Sequence, residues 1–594
     1  MSTGVWQVMD ESTDELIRPE DFPLPNRSQE SLCSQELTSW NITPPLPAVV
    51  DKARHLTNPA PLPSLASEAL QQKSDELQQP VKNEWDFIFI FFTLAIVAFV
   101  RALDVTSLPV ALPIIAREFN ATTCQSFWAA ISFLLTAVLS QPIHTVVSAV
   151  FGRREILYIC LLYSAIGSII AGFSKDIHVL IAGRALQGFG GGSFEALSET
   201  VLRGLSTSAD RSRYLTILSF IWAAGFALGP LIGAIFAEHV DWRWIIWINI
   251  PLLAVPILLV LICRVLKPIK FPLPSQLDQV DWLGIVLFIP SLTLLTVAIT
   301  WTDAQDQLGS IVTIAILALG ILFLIAFVIR EGCVHTPIFP YWLLASRREF
   351  ASLFGAFAYG AVLYPINLFI PIYFEAAVQL NPVAAATNML PLSILVSAMA
   401  LVTPLGIRHL CRYSCFIWIG WFLTTLGIGI LILLHSETNT VRRMGLQVIG
   451  ALGLGILLPA LSIPLEARTD GEQQAEETMG NSTFARQLGA VVGAALSTHI
   501  FSRSFSTAVG KLLPLPEPLV SLSDGKAAVR FIPLLKHLDL LVGETSAIVG
   551  VYERAMTAVW IAITVISGLG LVSSILVREL KVGEKDTGKQ TLQG

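Results

Sequence analysis

The sequence predicts an all-α membrane protein with fourteen transmembrane helices. Of its 594 residues, 54% are hydrophobic and only 14% are charged, against roughly 25% charged residues in soluble domains. Apolar runs of about 20 residues recur from Trp85 onward, and each is long enough to cross a bilayer. The expected spans are 87–116, 127–149, 156–174, 178–202, 214–237, 244–265, 282–301, 311–329, 350–378, 384–407, 413–435, 442–465, 478–501 and 555–577.

Residues 1–85 precede the first span. They are rich in Pro, Ser, Gln and Glu, and they hold 13 acidic and 6 basic residues. Such a composition cannot bury enough apolar surface to fold alone, so we expect a disordered tail. The first apolar run begins too late for a cleaved signal peptide, and we expect the first span to target the chain.

Several function classes lack their motifs. No basic patch interleaved with aromatics is present, so we expect no nucleic-acid partner. The seven cysteines are scattered without a CxxC pair, so we expect no disulfide framework and no metal site. No GxxxxGK[ST] loop and no catalytic cluster appear. The sequence therefore predicts neither an enzyme nor a cofactor, and any solute transport must use a gradient.

Charge in the short loops predicts the orientation. Lys and Arg are concentrated on the side of the N-terminal tail, which places both termini in the cytosol. Arg442 and Arg443 fall on the opposite side. The sequon at Asn120 lies in the first outside loop and is the candidate glycosylation site. We expect a plasma-membrane protein, with the vacuolar membrane as the alternative.

The fourth span contains "GRALQGFGGGSFEALSE", residues 183–199. A dinucleotide-binding fingerprint would need glycine at position 193, which is serine, and would need a βαβ unit around it. Read as a helix, the stretch has small residues at Gly188, Gly192 and Ala196. That spacing lets two helix backbones approach closely in lipid.

Three ionisable residues lie at membrane depth, where charge is costly and usually faces a polar cavity. Arg184 and Glu195 are three turns apart, nearly on one helix face. Asp104 in the first span lies between them in depth. Burial favours a neutral carboxyl and a nearby arginine favours a charged one, so a balanced group can load and release protons. We expect Asp104 to form a proton-linked pair with Arg184, with Glu195 as the second choice of partner; a static salt bridge is the alternative.

The fifth span carries an unbroken GxxxGxxxG stripe. Gly225, Gly229 and Gly233 occupy one helix face, and Pro230 adds a kink. Such a surface suits close helix contact. We expect it to form a sliding contact between two half-domains.

These segments resemble the major facilitator superfamily, and within it the fourteen-span drug:proton antiporters. "LDVTSLPVALP" matches LDxTxxxxALP, "RALQGFGGG" matches RxxQGxGGG, "GFALGPLIGA" matches GxxxGPxxGG and "WRWIIWINIP" matches WRWxFxINxP. "DWLG" before span seven and "FARQLG" in span thirteen also fit. The motifs occur in the family's order, and the long tail resembles fungal members.

The resemblance implies a major facilitator fold that works by alternating access around a central cavity. It implies efflux of small organic compounds in exchange for protons. It associates Asp104 and Arg184 with proton coupling, and Gly229 and Pro230 with antiport geometry. The implied organisation is a tail at 1–85, a six-helix bundle at 86–270, two inserted helices at 271–345, a second six-helix bundle at 346–580 with an outer loop at 502–554, and a tail at 581–594.

One family motif is altered. Where the family has GxLSDxxGRR, this chain has "TVVSAVFGRR". Thr145 replaces the first Gly and Ala149 replaces the Asp, while Gly152, Arg153 and Arg154 remain. In the family the acid bridges to basic residues on the cytosolic face and holds one state closed, so that latch is weaker here or is rebuilt elsewhere.

The candidate substrate-cavity residues are Gln187, Glu375 and Arg486, of which Glu375 and Arg486 could equally be structural. The leading function is export of a drug, toxin or secondary metabolite by a monomer embedded in lipid, with protons as the second partner. The alternatives are an importer of an iron chelate or nutrient, and a sensor that binds ligand without transporting it. Aromatic side chains that could line the cavity are Trp222, Tyr359, Tyr364 and Tyr373.

Overall fold

The regular structure is helical throughout the described residues. The computed structural model describes residues 84–205, 208–262, 281–300, 311–334, 347–410, 412–466, 472–512, 519–523, 525–536 and 542–577, and no strand occurs in them. Twelve helical segments among them are long and apolar enough to cross a membrane. The all-α membrane fold is therefore confirmed. The predicted disordered tail lies outside the described residues, apart from the start of the first helix.

The first half of the chain forms eight helices. They are α1 Glu84–Glu118, α2 Thr123–Phe151, α3 Arg153–Gly172, α4 Ile177–Gly191, α5 Phe194–Leu205, α6 Ser208–His239, α7 Trp244–Trp247 and α8 Asn249–Ile262. Helix α1 packs along α6, and α4 packs between α2 and α3. Helix α8 closes this half against α1 and α3.

The remaining helices form a central pair and a second half. They are α9 Trp282–Thr300, α10 Ile311–Glu331, α11 Arg347–Ala376, α12 Pro382–Leu410, α13 Tyr413–Leu431, α14 Thr440–Ala460, α15 Ile463–Glu466, α16 Glu472–Gly510, α17 Ala528–Leu535 and α18 Val542–Ser574, with a 3₁₀ turn at Leu519–Leu522. In the second half α11 packs on α16 and α18, and α14 packs between α12 and α13.

The predicted count of fourteen spans remains a prediction, because two expected spans are not among the twelve. The span at 478–501 lies within α16. The span at 178–202 is not one helix: α4 ends at Gly191 and α5 begins at Phe194. Closely spaced glycines favour such an interruption because glycine weakens a helix interior. The Ser193 hydroxyl stabilises the break by donating to the Ser140 carbonyl at 3.3 Å.

The two halves meet along α6 with α12, α2 with α16, and α1 with α11. Helix α9 lies against α2 and α16, where Phe288 and Leu292 pack on Leu135 and Val491. We call the end where α1 passes to α2 the loop-120 end, and the end where α2 passes to α3 the loop-152 end. At the loop-120 end the Thr123 amide donates to the Lys526 carbonyl at 2.8 Å.

The prediction for the GxxxGxxxG stripe was wrong about its partner. The stripe faces α1, within the same half, rather than the opposite half. A Cβ on Gly225 would lie 2.7 Å from the Phe99 carbonyl, and one on Gly233 would overlap the Ser107 carbonyl. Helix α6 meets the other half elsewhere, since the Ser397 hydroxyl donates to the Ala223 carbonyl at 3.0 Å. The stripe thus holds one bundle together.

Candidate functional site

Asp104 and Arg184 form a buried ion pair inside the first half. Nη1 of Arg184 lies 2.8 Å from Oδ1 and 2.9 Å from Oδ2 of Asp104. Both residues are 2% exposed. The structure therefore places the predicted first-choice partners together. Their pairing joins α1 to α4 at membrane depth, where an isolated charge would be expensive.

Side chains from three helices, α3, α4 and α8, hold this pair. Arg184 donates from Nη1 to Oε1 of Gln187 at 2.7 Å, and Gln187 donates to the Ser168 hydroxyl at 3.1 Å. Asn249, the first residue of α8, donates from Nδ2 to Oδ1 of Asp104 at 3.1 Å. Gln187, a predicted substrate-cavity residue, therefore acts here as a second acceptor for Arg184.

Close approach of α4 to α2 puts the Arg184 guanidinium over an aromatic ring. A Cβ on Gly188 would overlap the Phe133 carbonyl, and one on Gly192 would overlap Ala137, both on α2. The Cζ of Arg184 lies 4.2 Å from the Phe133 ring centroid, a favourable cation–π distance. The small-residue spacing in span four thus allows the close helix approach that the sequence predicted. That approach places the Arg184 guanidinium over the Phe133 ring.

Two residues of this site were missed in the sequence. Arg101 lies one turn before Asp104, and its Cζ is 4.4 Å from the same Phe133 ring. Its Nη1 is buried and has no hydrogen-bond partner. The signal for it was present, since Arg101 precedes Asp104 in the first span at a spacing of three residues. Asn249 lies in "WRWIIWINIP", where only the family resemblance marked it.

A second ion pair joins the two halves. Arg486 on α16 donates from Nη2 to Oε1 of Glu195 on α5. The side chains are 18% and 47% exposed, respectively. The expectation that Glu195 shares a helix face with Arg184 was wrong, because the break at Gly192 ends the common helix. Arg486, expected in the substrate cavity, instead meets a carboxylate of the opposite half.

The helix break also supplies an acceptor for the other half. The carbonyl of Gly192, between α4 and α5, accepts a hydrogen bond from Nε2 of Gln487 at 3.3 Å. Nearby, Nε2 of Gln141 on α2 donates to the Gly480 carbonyl on α16 at 2.9 Å. Polar contacts at Gly480 and at the adjacent residues Arg486 and Gln487 therefore tie α16 to the first half.

Two small cavities flank Phe133. One lies between the halves and has a volume of about 20 Å³ for the centre of a water molecule, enough for about one or two waters. The other lies inside the first half and measures about 10 Å³ on the same basis. An organic solute therefore fits in neither of these two cavities until the helices that line them move apart. The first is lined by Val105, Leu108, Pro109, Ala130, Phe133, Leu134, Arg184, Tyr364, Asn367, Leu368 and Ala494.

Glu375 lies away from both cavities. It is the last but one residue of α11, at the loop-120 end, is 5% exposed, and has no hydrogen-bond partner for Oε1. Among the candidate aromatics, Tyr364 lines the cavity between the halves. The hydroxyls of Tyr359 and Tyr373 are buried without a hydrogen-bond partner, and the Trp222 ring stacks on Phe226.

The remaining predicted residues lie at the two ends. Asn120 is exposed at the loop-120 end, and its Oδ1 accepts from Arg530 at 2.7 Å. At the loop-152 end Gly152 has φ 110°, a region that disfavours side chains with a Cβ. Arg153 donates to the Thr200 carbonyl at 2.7 Å, and Arg154 to that of Val260 at 3.5 Å.

Comparison with known families decides the identity. Residues 94–494, from α1 to α16, match the Major Facilitator Superfamily. The chain belongs to the major facilitator superfamily. This confirms the resemblance seen in the four ordered motifs, and the match includes Asp104, Arg184, Glu195 and Arg486.

Fungal members of the superfamily are similar to this transporter over most of its length. It is 31% identical over 522 residues to an MFS-type transporter, sphD, of Aspergillus fumigatus, covering 87% of this chain and 90% of the relative. It is 32% identical over 534 residues to MFS transporter L2 of a Phoma species, covering 89% and 88%. The efflux pump FUS6 of Gibberella fujikuroi is 26% identical over 530 residues, covering 89% and 94%.

Solved structures show the same fold. A bacterial homologue of the human lysosomal transporter Spinster, in an inward-facing and unoccupied conformation, aligns with a TM-score of 0.55 at 14% identity, covering 83% of this chain and 98% of that one. A D-xylose–proton symporter aligns with a TM-score of 0.52 at 11% identity, covering 78% and 99%. The family match and the transporters among its fungal relatives show that this chain is a multi-pass membrane transporter of small molecules.

Proposed function

We propose that this transporter exports small organic compounds in exchange for protons, with both termini in the cytosol and the loop-120 end outside the plasma membrane. The buried pair of Asp104 and Arg184 carries the proposal. A carboxylate and a guanidinium at membrane depth, beside two cavities, form a group whose charge changes when one proton binds. The fungal relatives named as efflux pumps support the direction.

The geometry suggests how a proton and a solute exclude one another. Charged Asp104 holds Arg184 through both carboxylate oxygens. Protonation removes the negative charge and leaves one oxygen as a donor, so the attraction on the guanidinium falls. Arg184 lines the cavity between the halves, so its release changes the charge that a solute meets there. Rocking of the halves then exposes the cavity to each side in turn.

The Asp104→Asn variant tests proton coupling. In inside-out vesicles carrying a proton gradient, we expect wild-type protein to accumulate a fluorescent amphipathic probe with a steep dependence on pH. Asp104→Asn should retain downhill exchange but lose that dependence, because the amide cannot bind the proton. The exposed Glu437 gives a matched control in Glu437→Gln.

Two outcomes would contradict the proposal. An unchanged pH profile in Asp104→Asn would remove Asp104 from coupling. Accumulation driven by the gradient only in right-side-out vesicles would indicate import. Since Asp104→Asn leaves Arg184 without its carboxylate, Asp104→Glu is measured beside it to separate coupling from folding: this variant keeps the charge and should keep a pH-dependent flux.

A further inference from the structure

The charges at the centre of the transporter do not balance. Arg101 interacts electrostatically with Asp104, Arg184 and Glu195, and Glu195 is paired with Arg486. Among the residues that the structure describes, this connected group contains three guanidinium groups and two carboxylates. Asp104 is bound by Arg184, and Glu195 by Arg486. The surplus positive charge therefore belongs to Arg101.

Arg101 is poorly compensated in the described part of the chain. Its Nη1 is buried without a hydrogen-bond partner, and its Cζ lies over the face of Phe133. Asp104 and Glu195 attract it electrostatically, but each of these carboxylates is paired with another arginine. A buried guanidinium nitrogen without an acceptor is unfavourable, because it loses its hydrogen bonds to water and gains none in return. Such a group is stabilised by an anionic ligand, which guanidinium binds strongly and directionally.

The position of Arg101 relates it to the transport path. Its electrostatic partners include Tyr364 on α11 of the opposite half, and Tyr364 lines the cavity between the halves. Phe133 borders both that cavity and the smaller one that Arg101 lines. The walls beyond Phe133 are mostly apolar, including Leu108 and Leu134. A cation thus lies beside an apolar chamber.

We propose that the central site takes an amphipathic anion, whose negative group binds Arg101 and whose apolar part occupies the cavity between the halves. The ligand class is an organic acid with one ionised carboxylate, sulfonate or enolate and a hydrophobic body. The present cavity is too small for such a molecule, so this inference rests on the transport cycle proposed above, in which the halves separate.

Equilibrium binding to the full-length protein in nanodiscs tests the inference. The probes are 8-anilinonaphthalene-1-sulfonate, which is anionic, and N-phenyl-1-naphthylamine, which has the same rings without the sulfonate. Binding is measured by equilibrium dialysis and corrected with empty nanodiscs. Wild-type protein should bind the sulfonate more tightly than the neutral amine. Arg101→Gln should weaken sulfonate binding at least about tenfold and leave binding of the amine unchanged.

Matched variants separate charge from packing. Arg101→Lys keeps the charge and should retain most sulfonate binding. Arg117→Gln removes an exposed cation from the end of the same helix and should change the binding of neither probe. Gly191→Ala keeps Arg101 but displaces it, because a Cβ there would lie 2.5 Å from Nη1. It should weaken sulfonate binding less than Arg101→Gln does.

Either of two results would overturn the inference. One is wild-type binding of the sulfonate no tighter than that of the amine. The other is an equal loss of affinity for both probes in the Arg101→Gln variant. Dialysis needs no proton gradient, so failure of export or of coupling in the vesicle experiment is distinguishable from failure here.

Discussion

At the scale of single residues, membrane burial makes each polar group depend on a specific partner. Arg184 is nearly inaccessible, yet it has a carboxylate, an amide oxygen and an aromatic face within contact distance. Its importance was predictable, because arginine at membrane depth is costly. Its partner was a choice between Asp104 and Glu195 that spacing alone left open. Asn249 on α8, which is 145 residues from Asp104 in the sequence, completes the site.

Gly152 permits the turn at the loop-152 end. Its φ of 110° and ψ of 144° are strained for residues with a Cβ, at a cost of about 1–3 kcal/mol. Gly152→Ala should therefore lower the thermal unfolding midpoint of the purified protein. Gly445→Ala is the control, since its added Cβ would meet nothing within 4 Å. Equal midpoints for the two variants would contradict the argument.

At the scale of helices, close packing joins helices within the first half, whereas polar contacts join the first half to α16. Glycines let α4 approach α2 and let α6 approach α1, and these contacts build the first half. Polar side chains from α16 then reach the break between α4 and α5. The sequence predicted the tight packing from small-residue spacing. It placed the fifth-span stripe at the wrong interface, because spacing identifies a face but not its partner.

The α1–α6 contact predicts different outcomes at two glycines. A Cβ on Gly233 would overlap the Ser107 backbone, whereas one on Gly229 would overlap the Thr106 hydroxyl. Overpacking costs about 1–3 kcal/mol, so both alanine variants should unfold at lower temperature. Thr106→Ala should partly rescue Gly229→Ala but not Gly233→Ala, because only the former clash is with a side chain.

The control for this pair is Gly568→Ala on α18, where the added Cβ meets nothing within 4 Å. Unfolding midpoints are compared in one detergent. If Gly233→Ala unfolded at the same temperature as this control, the close approach of α1 and α6 would not stabilise the half.

The ion pair between α5 and α16 predicts coupling across the halves. Glu195→Gln and Arg486→Gln should each lower the transport rate, because each leaves its partner without an opposite charge. Partly exposed pairs contribute only about 0.2–1 kcal/mol, so the effect on stability should be small. The exchanged pair Glu195→Arg with Arg486→Glu should recover part of the rate, as a double-mutant cycle would measure. Additive losses with no recovery would mean that the pair is not coupled.

At the scale of the whole molecule, the halves are held together at the loop-120 end and at middle depth. The Thr123 amide and hydroxyl both contact the Lys526 carbonyl, and the Val383 amide contacts Oε2 of Glu238 at 2.9 Å. The cavity between the halves is meanwhile too small for cargo. Transport therefore requires these contacts to break during the cycle.

A reversible cross-link at that end tests this requirement. In a background with the native cysteines replaced by serine, Thr123→Cys with Lys526→Cys should form a disulfide under oxidation. We expect flux in vesicles to stop when the bond forms and to return with reductant. Each single cysteine variant is the control. Full flux with complete cross-linking would show that the loop-120 end need not open.

The sequence by itself determined the membrane class, the superfamily and the buried charges of Asp104 and Arg184, because hydropathy, small-residue spacing and motif order are local properties. Only the tertiary structure decided how those charges are paired. Glu195 meets Arg486 because the helix breaks at Gly192 and α16 lies opposite. Arg101 keeps a surplus charge because Asp104 is bound to Arg184. Pairing depends on which helices adjoin, and a periodic pattern along one helix carries no information about its neighbour.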